Sequence, residues 1–304
     1  MVADVERIWI PDYVPEVGTG EVRFQLRKQS ISPAIVRTSR KLRLLNKLRP
    51  PGEINVDKEV FFDVRTDDYF NWSHQVNFYL SLALAARKWL GEDLLIVLPT
   101  GMPRITFELY ELFGFTTLVT DGPVTGRQCS WSVPHWEVVA YGRKILVPEQ
   151  FSFQPFDTPR KVFIARRGLR SISNEHEVQA TLPGYTKVYT EDLSAAEQFA
   201  LFQNATHIVS VHGAALAPMQ YRSRSEPPLR LIEISPVGHM TRWFGVMCHQ
   251  IGGRYIQVRG RLKPEYISHL YRSDPYFTHT NDSFEVDPRS LEVALNTIDQ
   301  LTCP

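Results

Sequence analysis

The sequence has little cysteine and no long apolar run. Its three cysteines, Cys129, Cys248 and Cys303, are far apart, which argues against a disulfide framework and against a thiolate metal site. No run of about eighteen apolar residues occurs, so we expect no transmembrane helix. The first residues also lack the basic and then apolar pattern of a secretory signal. Together these absences predict a cytoplasmic protein.

Excess charge of one sign is also absent overall, although charge is uneven along the chain. The formal net charge is +1, which gives no indication of nucleic-acid binding. Residues 22–49, however, contain nine basic side chains and no acidic one. Such a stretch repels itself unless it is solvated or meets an anion, such as an acidic ligand or the inner face of an anionic membrane. Peripheral membrane contact through 22–49 is therefore one hypothesis, and a solvated charged face is the other.

Strand and helix patterns alternate after residue 55, and a proline-bearing loop near residues 148–159 separates two such series. The first series predicts strands at 59–64, 94–98, 116–120 and within 136–147, with helices at 73–90 and 103–113. The second predicts strands at 161–165, 185–189, 207–211, 229–234 and 254–258, with helices at 174–181, 194–203, 214–219 and 241–251. Residues 1–55 are expected to be irregular, apart from one short basic helix at 37–48.

Alternation of this kind predicts an α/β fold with parallel strands. We expect two doubly wound Rossmann-like domains facing a cleft, with boundaries of 1–150 and 151–304. Asp287-Pro288 is the typical start of a last helix, which could pack back on the N-terminal domain. Ligands are expected at the carboxyl ends of the strands.

The most informative segment is the turn His212-Gly213-Ala214-Ala215, which follows an apolar strand and opens a helix. Backbone N–H groups at such a turn are unpaired, and the helix dipole favours a negative group there. The small residues would let a diphosphate approach, and His212 could donate a hydrogen bond to it. The alternative is a tight turn beside a packed histidine.

Other candidate residues lie near predicted strand ends in the second series. Arg166, Arg167 and Arg170 follow one strand, where guanidinium groups could bind phosphate or simply face solvent. Glu233 ends another strand, at a position where an acidic residue either binds ribose hydroxyls or is a solvated strand end. In Ser194-Ala-Ala-Glu197 the spacing is that of a capping box, so we assign Glu197 a structural role.

In the first series, Asp67, Asp68 and His74 lie between a strand and the long helix. A histidine at this position could act as a general base, or it could be a hydrogen-bonded residue at a helix start. The sequence shows no pattern typical of a metal site, because no Asp-x-Asp sequence occurs and the nine histidines show no i, i+3 or i, i+4 pairing. We therefore expect no metal and no other cofactor.

Four motifs in this order resemble the core of glycosyltransferase family 61, from about Lys161 to Val258. They are Arg166 to Asn174-Glu175, Leu193-Ser-Ala-Ala-Glu-Gln198, His212-Gly-Ala-Ala-Leu216 and Leu231-Ile-Glu-Ile-Ser-Pro236. The resemblance implies a GT-B fold, an inverting reaction, no required metal and a nucleotide-sugar donor bound by the C-terminal domain. Its donor residues would be Arg166, Asn174, His212, Gly213, Ala214 and Glu233, to which the spacing adds Arg170 and Ala215.

Asn71-Trp-Ser-His74 resembles the family's Asn-x-x-His, but the acidic residue often found four positions later is Phe78 here. His74 is then the leading candidate for the base, followed by Asp67 and Asp68. The expected reaction moves a sugar, with UDP as the expected nucleotide, to a hydroxyl of a glycan or lipid-linked glycan. A nucleotide-sugar epimerase and a non-catalytic nucleotide-sugar or glycan-binding protein are the alternatives.

Overall fold

The computed structural model describes two compact units. They comprise residues 17–148, here called the N-terminal unit, and residues 1–16 with 149–304, the C-terminal unit. The described residues are 8–9, 23–32, 52–65, 70–132, 156–223, 227–238, 243–262 and 281–301. Both units are mixed α/β structures with largely parallel sheets, as the alternating sequence pattern predicted. The GT-B arrangement stays a prediction.

The helices and strands are numbered in chain order. The strands are β1 (Ile8–Trp9), β2 (Arg23–Ser32), β3 (Ile54–Asp63), β4 (Leu94–Leu98), β5 (Thr116–Val119), β6 (Val124–Ser132), β7 (Lys161–Ile164), β8 (Thr186–Val188), β9 (His207–Val211), β10 (Arg230–Ser235) and β11 (Arg254–Arg259). The α-helices are α1 (Trp72–His74), α2 (Ser81–Leu90), α3 (Arg104–Leu112), α4 (Glu175–Ala180), α5 (Ala195–Asn204), α6 (Trp243–Gln250) and α7 (Pro288–Ile298).

The N-terminal unit contains a five-stranded sheet in the order β2-β6-β3-β4-β5. All neighbouring strands are parallel except β2 and β6, which pair antiparallel. The expectation of irregular structure for residues 1–55 is therefore wrong at β2, because β6 supplies a partner for that strand. The predicted helix at 37–48 and the predicted strands within 136–147 lie outside the described residues.

A long helix follows β3 and ends where the sequence predicted. It consists of α1, a π-helical segment at Gln75–Leu80, and α2. Gly91 ends it in the left-handed conformation, with φ of 71°, which a residue with a Cβ adopts only at a cost. The π-helical segment was not predicted, since the apolar periodicity of the sequence does not distinguish it from α-helix. Such segments are frequent at functional sites.

A buried arginine holds the carboxyl edge of this sheet together. The Arg65 guanidinium donates to both carboxylate oxygens of Asp63, at 2.9 and 2.8 Å. It also donates to the carbonyl oxygens of Thr120 and Gly122, at 3.0 and 2.7 Å. Arg65 therefore ties the end of β3 to the chain that follows β5, with its charge paired inside the fold.

The C-terminal unit contains a six-stranded sheet in the order β1-β11-β10-β9-β7-β8. Only β1 is antiparallel to its neighbour. Because side chains alternate along each strand, the sheet buries two apolar layers. One layer packs under α4 and α7, and the other under α5, α6 and a 3₁₀ helix at Ala214–Tyr221. The carboxyl ends of β7, β9, β10 and β11 consequently meet at one edge.

The last helix, α7, is part of the C-terminal unit. Asp287 caps it by accepting from the Arg289 N–H, and Pro288 is its first residue, as predicted. Leu291, Ala294 and Ile298 are buried in the core of the C-terminal sheet. Its apolar face packs on the C-terminal sheet, and the contact with the N-terminal domain that the sequence analysis considered stays a prediction.

Candidate donor site at the carboxyl edge of the C-terminal sheet

The turn after β9 presents three unpaired backbone N–H groups. The His212 N–H donates to the carbonyl oxygen of Ile234 at 2.7 Å, and this bond continues the pairing of β9 with β10. Within the described residues, nothing accepts from the N–H groups of Gly213, Ala214 or Ala215. A 3₁₀ helix starts at Ala214, where the sequence analysis expected an α-helix. Pro218 lies inside this helix and lacks an N–H, which favours the shorter and tighter form.

Arg166 lies against this turn. Its Nη1 donates to the carbonyl oxygen of His212 at 3.1 Å. A Cβ built on Gly213 would lie 2.0 Å from the same Nη1, so the guanidinium occupies space that any other residue at 213 would fill. Burial lowers the pKa of Arg166 to about 10, and the charge of Arg170 adds to this effect. Arg166 still carries its positive charge at neutral pH.

Arg170 adds a second cation close to Arg166. Its backbone is left-handed, with φ of 61°, which is uncommon for a residue other than glycine. Its Nε is buried and has no hydrogen-bond partner. Burial also lowers the pKa of this guanidinium. Among the described residues neither Arg166 nor Arg170 forms an ion pair with a carboxylate, although the charge of Glu191 partly opposes the lowering of the Arg166 pKa.

A chain of buried hydrogen bonds orients His212. Its Nδ1 bonds to one carboxylate oxygen of Glu233, and the hydroxyl of Tyr255 donates to the other oxygen. The Glu233 side chain is 0% exposed and that of His212 is 8% exposed. The His212 ring also lies 5.4 Å from the ring of Phe244, measured between centroids. Carboxylate and aromatic contacts of this kind hold the tautomer and the orientation of an imidazole.

The structure corrects the interpretation of Glu233 as a ribose ligand. Both of its carboxylate oxygens are bonded inside the protein, and no part of the side chain reaches the surface. Glu233 therefore acts on a ligand only through His212. Tyr255, the buried last residue of this hydrogen-bonded series, was not predicted by the sequence analysis. Its relation to Glu233 depends on the pairing of β10 with β11, which the sequence does not specify.

Three other sequence candidates have structural partners. Asn174 donates to the carbonyl oxygen of Val286 at 2.8 Å and accepts from its N–H at 2.9 Å, so its amide ties α4 to the chain before α7. Arg167 forms a bidentate pair with Asp192, both bonds being 2.7 Å. Glu197 and Ser194 form the predicted capping box, which confirms the structural role of Glu197. These contacts account for the three side chains without a ligand.

Of the candidate bases, the structure describes only His74. Asp67 and Asp68 lie outside the described residues. His74 is partly exposed and is the last residue of α1, whose start Asn71 caps by accepting from the Ser73 N–H at 3.0 Å. Phe78, which stands where the resemblance led us to look for an acidic residue, is partly exposed in the π-helical segment.

The described residues contain no group of three or more histidine, cysteine, aspartate or glutamate side chains arranged to hold a metal ion. Both described cysteines, Cys129 and Cys248, are buried, and neither forms a disulfide within the described part of the chain. Among the helices described, none has the length and apolar character needed to span a membrane.

Comparison with known families assigns the chain. The model of the family described as Glycosyltransferase 61 matches residues 69–225, just over half of the sequence. The chain belongs to glycosyltransferase family 61. The matched segment includes His74, Arg166 and the turn from His212 to Ala215, and it ends before Glu233. A search of curated proteins found no match.

Membership in family 61 makes the protein a glycosyltransferase, which acts on a sugar donor and an acceptor. The N–H groups, guanidinium groups and oriented histidine at the carboxyl edge of the C-terminal sheet are then its candidate donor site. Each of these groups is suited to binding negative charge.

Proposed function

We propose that this glycosyltransferase transfers a sugar from a nucleoside diphosphate donor, with UDP as the nucleotide, to a hydroxyl of a glycan acceptor. The observation that carries this proposal is that three backbone N–H groups without a described acceptor lie near two guanidinium groups that have no ion pair with a described carboxylate. A diphosphate satisfies both, because it has several acceptor oxygens and at least two negative charges. Arg166, Arg170, Gly213, Ala214 and Ala215 would then contact it.

The transfer we propose is a single displacement. The acceptor oxygen forms a bond with the anomeric carbon as the bond from that carbon to the diphosphate oxygen breaks, so the configuration inverts. His74, or Asp67 or Asp68, takes the hydroxyl proton. The negative charge that develops on the leaving diphosphate is stabilised by Arg166, the turn and His212, without a requirement for metal. The acceptor is a glycan or a lipid-linked glycan. The basic segment 22–49 is proposed to contact the anionic membrane in which a lipid-linked acceptor would lie.

Thermal unfolding and transfer assays test this proposal together. A bound ligand raises the midpoint of unfolding, so UDP and its correct sugar conjugate should protect the protein while the nucleoside uridine does not. Incubation of that conjugate with a glycan acceptor should release UDP only when the acceptor is present. Release without an acceptor would instead indicate hydrolysis or an epimerase.

His74→Ala separates catalysis from binding. The variant should retain protection by UDP and lose transfer by about a hundredfold, the usual contribution of a general base at the low end. Unchanged transfer would exclude His74 as the base and leave Asp67 and Asp68. A parent protein that neither binds nor transfers any nucleotide sugar would contradict the proposed function itself.

A further inference from the structure

Arg259, at the carboxyl end of β11, is a partly buried cation without a partner. Its Nε is buried and makes no hydrogen bond. Across the described part of the chain, no carboxylate forms an ion pair with it. Burial of a polar or charged group without a partner is costly, so proteins normally place an acceptor beside it.

Two arginines close to Arg259 in the sequence have acceptors among the described residues. Arg261, two residues later, lies 3.3 Å from a carboxylate oxygen of Glu285 and 3.9 Å from one of Asp287. At the opposite end of β11, Arg254 donates to the carbonyl oxygen of Asp299 at 2.8 Å. The Nε of Arg254 is buried without a hydrogen bond as well, but its Nη1 has this acceptor, whereas no described residue accepts from the Arg259 guanidinium.

Arg259 lies on the same face of the sheet as the His212 network. Side chains alternate along a strand, so residues 255, 257 and 259 share one face, and β11 pairs in parallel register with β10, where Glu233 faces Gln257. Tyr255 donates to Glu233 on that face. Burial and the charge of Glu233 raise the pKa of Tyr255 well above its ordinary value, and the Arg259 charge opposes them, which places the guanidinium in the same neighbourhood.

No described carboxylate on this face is available to Arg259. Glu233 is fully buried and already bonds to His212 and Tyr255. The hydroxyl of Ser235, directly beside Arg259 in register, already accepts from Gln257 at 2.9 Å. The positive charge of Arg259 is therefore left for a ligand at the carboxyl edge.

We propose that Arg259 is a further donor-binding residue, which contacts a phosphate of the diphosphate from the side opposite to Arg166. The strands β9 and β11 are separated by β10 alone, a distance of about 10 Å, which an extended arginine side chain and a diphosphate can bridge. Guanidinium groups bind phosphate oxygens in bidentate fashion. This inference rests on the proposed function, since it assigns a second cation to the same diphosphate.

Arg259→Gln and its matched control Arg261→Gln test the assignment in the full-length protein. Affinities for UDP, for UMP and for inorganic pyrophosphate would be measured by titration calorimetry. Arg259→Gln should weaken UDP binding about tenfold to a hundredfold, as expected for loss of a charge-assisted bond, and should weaken UMP binding less. Arg261→Gln should change each affinity less than twofold, because the Arg261 charge is already paired with Glu285 and Asp287.

Thermal unfolding of the free variants separates binding from folding. An unpaired cation does not stabilise the fold, so Arg259→Gln should unfold at or above the midpoint of the parent protein. Parent-like UDP affinity in Arg259→Gln, combined with a loss in Arg166→Gln, would overturn the assignment and leave the proposed function standing. A parent protein that binds none of the three probes would contradict the proposed function instead.

Discussion

The two edges of the C-terminal sheet carry similar cations in opposite circumstances. At the amino edge, Arg230 forms an ion pair with Asp299, and Arg254 donates to the backbone of the same residue. At the carboxyl edge, Arg166, Arg170 and Arg259 have no ion pair with a described carboxylate. Both arginines at the amino edge therefore contact Asp299, whereas the three at the carboxyl edge have no comparable carboxylate partner among the described residues.

This difference shows which charges stabilise the protein and which are available for chemistry. Asp299 directly follows α7, and it reaches the first residues of β9, β10 and β11, since His207 lies 3.8 Å from it as well. One residue thus connects the last helix to three strands, through its carboxylate at β9 and β10 and through its backbone carbonyl oxygen at β11. No described carboxylate plays the same role for the three arginines at the carboxyl edge. Their unpaired positive charge lowers the stability of the fold unless an anion binds.

Substitution of one arginine at each edge by glutamine should have the largest effects on UDP affinity and on stability. Arg166→Gln removes a proposed phosphate ligand, so UDP affinity should fall about a hundredfold, while the midpoint of unfolding stays within error or rises. Arg230→Gln breaks a partly exposed ion pair, so the free energy of unfolding should fall by about 1 kcal/mol or less with UDP affinity unchanged. Calorimetry and denaturant unfolding measure the two quantities. A stability loss in Arg166→Gln with intact binding would reverse our assignment of the edges.

The sequence predicted the carboxyl edge better than it predicted the roles of individual residues there. The strand at 207–211 and the small residues after it follow directly from local pattern, and the structure places both as expected. Alternation of strand and helix patterns along the chain also predicted the parallel sheets. Local pattern is sufficient for these features because they depend on residues that are neighbours in the chain.

Roles that depend on pairing between distant strands could not be predicted. Glu233 lies at a strand end, which suggested a ligand contact, but the register of β10 against β9 and β11 directs its carboxylate to His212 and Tyr255. Arg259 belongs to the proposed site only because β11 lies two strands from β9. Asn174 likewise bonds to a residue more than a hundred positions away, Val286.

Substitutions of two glycines, one at the donor site and one away from it, should have effects of intermediate size. Gly213 has an extended backbone, with φ of 162°, but no space, since a Cβ there would displace the Arg166 guanidinium. Gly184, just before β8, has open space around its Cβ position but a left-handed φ of 77°. Gly213→Ala should therefore weaken UDP binding about tenfold with little change in stability, because the end of a flexible side chain can move.

Gly184→Ala is the matched control for this substitution. It should lower the free energy of unfolding by about 1 kcal/mol, the cost of left-handed backbone for a residue with a Cβ, and leave UDP affinity unchanged. Equal effects of the two alanines on UDP affinity would show that backbone strain, and not the position of Arg166, controls binding.

The smallest expected effect concerns His207 at the amino edge. Burial, with the charges of Arg230 and Lys161, lowers its pKa, and the opposing effect of Asp299 does not cancel this. As pH falls below the ordinary value of 6.5, the unfolded chain takes up this proton before the folded chain does, so stability decreases. His207→Gln should reduce that loss between pH 7 and pH 5, measured by denaturant unfolding. The UDP affinity of this variant should follow the same pH profile as that of the parent protein, because the charge of protonated His207 lies at the edge away from the donor site. A changed profile would mean that the two edges are coupled.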